Sequence, residues 1–93
     1  MTKAEKEAKI IERIHYLSEL DNVGCYGYYY MRFLWDAIAT IVFAVKHDHA
    51  GHMLYPNGKE GEEIDRKIGI IVRNMENKGI IKVSKSRKMF KTL

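Results

Sequence analysis

Residues equipped for chemistry gather at two places in this chain. The first is a run of imidazoles and a carboxylate: His47, Asp48, His49 and His52. Imidazole nitrogens at such short spacing on a loop could wrap a divalent metal. The familiar zinc patterns need paired cysteines, or His-Glu-x-x-His on a helix, and neither occurs here. The stretch therefore reads as a histidine-rich surface loop, with no metal expected. A metal-dependent enzyme built on His47, His49 and His52 is the weakest functional alternative. Cys25 is the single cysteine. It could pair with a histidine as nucleophile and base, but no local feature marks its thiol as activated. There is also no glycine-rich phosphate loop and no distinctive carboxylate pair. The sequence predicts no enzyme, no catalytic residue and no cofactor.

The second place is the C-terminus, where the chemistry is electrostatic. Residues 1–77 carry ten Lys or Arg against twelve Asp or Glu. Residues 78–93 carry Lys78, Lys82, Lys85, Arg87, Lys88 and Lys91 and no acid at all. The net charge of +4 therefore hides a slightly acidic body and a tail of +6. A segment of that kind attracts polyanions, nucleic acid above all. Arg66, Lys67 and Arg73 precede it on a predicted helix and extend the basic constellation. Acidic residues share that helix, so its charges also read as an ordinary solvated face.

The elements that must position these groups can be read from periodicity. Residues 3–20 show an amphipathic helix, with Ile10, Ile14 and Leu17 at helical spacing and Ile11 and Leu20 widening the stripe. Thr2 with Glu5 three residues later is the capping-box pattern. Asp21-Asn22-Val23-Gly24 ends the helix with turn chemistry. A second helix is expected from about Tyr26 or Gly27 to Lys46. It opens with the aromatic cluster Tyr26, Tyr28, Tyr29, Tyr30, Phe33 and Trp35, read as core. Its later half is apolar nearly all round, as in a central helix.

The stretch from Lys46 to Gly61 reads as a loop. Pro56 biases Tyr55 away from helix, and Asn57-Gly58 lacks the alternating flanks of a hairpin. A third helix is expected from about Glu62 to Asn77, with Ile64, Ile68, Ile71, Val72 and Met75 on one face and Gly79 as its stop. Arg66, Lys67, Arg73 and Asn74 lie on its exposed face. In the tail, Ile81 and Val83 alternate with Lys82 and Ser84. Ser84-Lys85-Ser86-Arg87 can turn, and Met89 to Leu93 can return as a second strand.

The predicted fold is thus mainly α: a three-helix or four-helix, helix-turn-helix-like bundle with a short C-terminal β-hairpin, or wing. The 93 residues make a single domain, 1–93, with the basic tail at 78–93. A lone cysteine excludes an internal disulfide, fits a reducing cytoplasmic setting, and leaves only an intermolecular bridge in a homodimer. The charged N-terminus has no signal-peptide character. The apolar run from Phe33 to Val45 is too short to span a bilayer and contains Asp36, so no membrane partner is expected.

The order of these pieces resembles one family. Gly27-Tyr28-Tyr29-Tyr30-Met31-Arg32, an apolar helix, and then Leu54-Tyr55-Pro56 resemble the C-terminal DNA-binding domain of the sporulation master response regulator of Firmicutes. The segment Ile10 to Leu17, with Ile14-His15, is similar to that family's first helix. Ile64 to Ile68 falls where its recognition helix has an apolar-x-Arg-x-apolar rhythm. The likeness covers roughly residues 10–76 and implies a helix-turn-helix frame that holds DNA. The chain departs from the pattern at residues 57–63, about one helical turn too short, so the first helix of the helix-turn-helix is shortened or missing. The basic hairpin also lies outside the family's helical end.

Two functions follow as expectations. The first is a small DNA-binding protein, a transcriptional regulator working as a homodimer. Its contacts would be Arg66, Lys67, Arg73, Lys82, Lys85, Arg87, Lys88 and Lys91. The alternative is a phage- or mobile-element-encoded inhibitor of the anti-CRISPR kind. It would grip a host protein or protein–nucleic-acid complex with a frame derived from a helix-turn-helix.

Overall fold

A computed structural model describes residues 2–21 and 28–93 of the chain. The expected turn after the first helix, Cys25, Tyr26 and the side chain of Leu20 lie outside the described residues. Three helices and three short strands follow in the order α1 (Lys3–Asp21), β1 (Tyr29–Tyr30), α2 (Met31–Phe43), α3 (Lys59–Asn77), β2 (Ile81–Val83) and β3 (Met89–Thr92). The protein is mainly helical with a small antiparallel sheet of strand order β1-β3-β2.

Helix α1 begins where a side chain can satisfy its free amides: the Glu5 N–H donates to Thr2 Oγ1 at 3.1 Å. Ile10 and Ile14 are buried one turn apart, with Ile11 and Leu17 partly covered beside them. They pack on α2, whose Leu34, Ala37, Ile38 and Ala39 are all buried. The small alanines let the neighbouring helices approach closely. Ile68, Val72 and Met75 of α3 close the core from the third side.

Two helix boundaries differ from those expected. Helix α2 starts at Met31 rather than near Gly27, because Tyr29 and Tyr30 are taken by the sheet, opposite Phe90 and Met89. Their partner strand lies some sixty positions away in sequence, so local periodicity carries no trace of it. The helix stops at Phe43, short of Lys46: Ala44 adopts a left-handed φ of 53°, and the Val45 N–H turns back to the Ala39 carbonyl at 3.0 Å. The aromatic cluster is also less uniform than a core reading implies. Phe33 is buried, Trp35 is half-buried, and Tyr30 is exposed.

Helix α3 starts at Lys59, three residues before the expected Glu62. Gly61 makes this possible. A Cβ there would run into the Pro56 carbonyl oxygen, so only glycine lets the new helix fold back against the loop that feeds it. The helix ends as expected. Gly79 has a φ of 77°, and the Ile80 N–H reaches back to the Met75 carbonyl at 3.0 Å, a Schellman closure.

No helix forms between residues 44 and 58. A narrow turn occupies the histidine stretch instead, with His47 bridged to Met53 and the Asp48 carboxylate accepting the Ala50 and His52 amides at 2.9 Å each. These amide hydrogen bonds, that from His52 first, hold the Asp48 carboxyl below its ordinary pKa. Two carboxylates fasten the segment to the helices. Asp36 accepts from Arg13 Nε at 3.3 Å, Thr40 Oγ1 at 3.2 Å and His47 Nε2 at 3.1 Å. Asp65 accepts from Trp35 Nε1 at 2.8 Å and the Tyr55 hydroxyl at 2.7 Å. Burial, then the hydrogen bond to Asp65 and its charge, push the Tyr55 phenol up to about 12.

The basic tail is an ordered sheet. Its turn is the one the sequence implies, with the Arg87 N–H donating to the Ser84 carbonyl at 2.9 Å. Alternation sends Ile81, Val83 and Phe90 toward the helices and Lys82 and Lys91 outward. Phe90 is fully buried, with the Tyr29 ring 5.7 Å away. Sheathing that ring alone contributes roughly 1.5–3 kcal/mol. The hairpin expected from sequence is therefore two thirds of a three-stranded sheet, and β1 was the part hidden from view.

Candidate nucleic-acid interface

Helix α3 has one face against the core and one toward solvent. Arg66, Gly69, Ile70, Arg73 and Asn74 follow helical spacing along the solvent side and line a shallow groove of about 300 Å³. Arg66, Ile70, Arg73 and Asn74 are exposed, Ile70 by 50%. Guanidinium, amide and a short apolar chain on one ridge are the groups that read base edges in a duplex groove. Lys67 lies to one side and is engaged with Glu63 at 3.3 Å. An exposed pair of that kind is worth little, so Lys67 stays free to exchange partners. Glu60 and Glu62 in the first turn suit the helix dipole, so the positive charge on the solvent side of α3 is concentrated at its middle, at Arg66 and Arg73.

The wing lies against the flank of that helix. Arg87 at its tip donates to Glu76 Oε2 at 3.3 Å, and Glu76 is one turn from Arg73. The contact ties the turn to α3 and partly neutralises Arg87. Lys85 and Lys88 share the tip and are exposed. Lys82 and Lys91 sit on the outer face of the sheet. They are directly opposed across β2 and β3. Like charges facing each other across strands destabilise a sheet. An anion bridging them would relieve that cost. Lys91 is half-buried, with its ammonium 5.6 Å from the centre of the Tyr28 ring.

The structure thus gathers the predicted cations into two linked sets. Arg66 and Arg73 belong to the helix ridge; Lys82, Lys85, Arg87, Lys88 and Lys91 belong to the wing. Lys78, the first tail cation, is elsewhere, donating to Glu7 of α1 at 3.0 Å. Three residues outside the predicted contact set join the wing. Tyr30, Met31 and Arg32 line an open basin with Arg87 and Lys88, where the Met31 N–H donates to the Lys88 carbonyl at 3.1 Å. The Arg32 guanidinium lies over the Tyr30 and Phe33 rings at 5.2 and 5.3 Å. Arg32 lies far from the tail in sequence, and only the pairing of β1 with β3 brings it there.

The histidines do not converge. His47 is bound to Asp36, His52 Nδ1 lies 3.6 Å from the Asp48 carboxylate, and His49 is exposed. Among the described residues, no three His, Cys, Asp or Glu side chains are placed to share a metal. No described helix is long and apolar enough to cross a membrane. No protein-family model, curated protein or solved structure matches the chain.

Proposed function

We propose that the protein binds duplex DNA through the ridge of α3 and the basic wing, as a small transcriptional regulator. The observation that carries this reading is the adjacency of the two: an exposed Arg66-Ile70-Arg73 ridge with a lysine-rich turn fastened to its flank by Arg87 and Glu76. The order α1, β1, α2, α3, β2, β3 supports it, because it sets a basic two-stranded turn beside a helix with exposed arginines, where lysines can neutralise phosphates flanking a groove contact. The resemblance to the sporulation regulator's DNA-binding domain supports it too. One departure bears on the docking. Residues 44–58 take the place of a tight turn between the two helices, and the basic residues of α3 lie beyond its acidic first turn. The ridge would therefore meet the duplex with its middle, the wing neutralising phosphates alongside.

Fluorescence anisotropy with a mixed-sequence duplex between 50 and 200 mM salt tests the proposal. Binding should weaken steeply, with a log–log slope of roughly −4 to −6 if about five phosphates are neutralised. Lys85→Ala with Lys88→Ala should make that slope shallower by about 2. Arg66→Ala or Arg73→Ala should each cost about 1–3 kcal/mol on a preferred site. Absence of affinity at the lowest salt would defeat the reading, and recovery of a nuclease-resistant stoichiometric protein complex would then favour the inhibitor alternative.

A further inference from the structure

A separate hollow lies between the N-terminal half of α1 and the C-terminal half of α3. Ile10, Val42, Ile71 and Met75 form its floor, and Lys3, Lys6, Glu7 and Lys78 stand on its rim. Its volume is about 160 Å³. That is too small for a drug-sized ligand, whose pockets start near ~300 Å³, but cavities of roughly 150 Å³ with aliphatic walls admit a benzene ring.

The rim is unbalanced in charge. Lys78 Nζ donates to Glu7 Oε1 at 3.0 Å. Lys3 lines the same rim, where the nearby Lys78 ammonium holds its pKa below the ordinary value, while Glu7 raises that of Lys78. One carboxylate therefore serves two crowded cations, with Lys6 a third beside them. Crowded like charges above an apolar floor are the electrostatic complement of an amphipathic anion.

We propose that this cleft binds a small monocarboxylate carrying an aromatic ring or short branched aliphatic chain. The ring enters among Ile10, Val42, Ile71 and Met75, and the carboxylate sits between the Lys3 and Lys78 ammonium groups. The hollow shares Asn74 with the α3 ridge but neither of its arginines and no residue of the wing, so variants of Lys3 and Lys78 leave the proposed DNA contacts in place.

Titration of the full chain with benzoate, followed by amide chemical shifts, tests it, with benzyl alcohol as the neutral counterpart. Benzoate should shift the amides of Ile10, Ile71, Met75 and Lys78 and saturate on the order of a millimolar. Benzyl alcohol should bind about fivefold more weakly. Lys3→Gln combined with Lys78→Gln should remove that preference and leave benzyl alcohol unaffected. Both lysines are exposed, so the fold is retained. Equal affinity for acid and alcohol, shifts confined to the wing lysines, or no shift at the cleft would each overturn the proposal.

Discussion

Two polar stretches flank α3, and the protein anchors them in opposite ways. Residues 44–58 feed into the helix and hold the histidines. Residues 78–93 leave it and hold all of the surplus positive charge. The first is fastened from outside: His47 to Asp36, Tyr55 to Asp65, and backbone bridges across a narrow turn. The second is fastened from inside, by Ile81 and Phe90 driven into the core. Burial therefore separates the two stretches more sharply than residue type does. Of the imidazoles only His47 acts as a clasp, while His49 and His52 stay exposed. The lysines of the tail stand on strands whose alternate side chains reach the core.

The comparison breaks most visibly at Phe90. Phe90→Ala removes a fully buried ring from β3, between its neighbours Tyr29 of β1 and Val83 of β2. It should lower unfolding free energy by about 3–5 kcal/mol, measured by urea denaturation with an unchanged m-value. A small domain has about 5–15 kcal/mol in all, so this variant should sit near the edge of folding. A loss below 1 kcal/mol would mean that the tail is an appendage after all.

The same contrast governs what the sequence could disclose. The helices were legible because their apolar stripes are local: Ile10 with Ile14, Ile68 with Val72 and Met75. The hairpin was legible from the alternation of Ile81-Lys82-Val83 and the Ser84–Arg87 turn. The participation of Tyr29 and Tyr30 was not, since a two-residue strand shows no period and its partner is distant. The early start of α3 was hidden for a related reason: Gly61 reads as a breaker until Pro56 is seen against it. Most of the candidate interface was legible as charge. What charge could not show was its subdivision, with Lys78 turned toward α1, Arg87 bound to Glu76, and Arg32 recruited through β1.

On the other side of the comparison, the clasp of the histidine segment should be worth much less. His47→Ala removes one of three donors to Asp36 and leaves Arg13 and Thr40 in place. The expected cost is about 1 kcal/mol, since the pair is part-exposed and the carboxylate keeps other partners. Hydrogen exchange should localise the change to residues 44–58, with the amides of β3 protected as before. Loss of protection throughout would show that this segment carries as much of the core as the tail does.

Tyr55 offers the finest test, because its effect depends on pH. Its phenol is neutral, half-buried and donates to Asp65, so burial and the adjacent carboxylate raise its pKa from 10 to about 12. A group whose pKa is raised by folding contributes stability that is complete below its unfolded value and lost as pH rises through the folded one. The contribution should be constant to about pH 10 and fade between there and about 12. The energy is modest, since water still reaches the phenol. Tyr55→Phe should therefore remove the part of the alkaline decline that falls in this window and leave the stability profile between pH 6 and 9 parallel to that of the parent, displaced by about 1 kcal/mol for the lost hydrogen bond. If the alkaline limb persists unchanged, its source is not the clasp at Asp65.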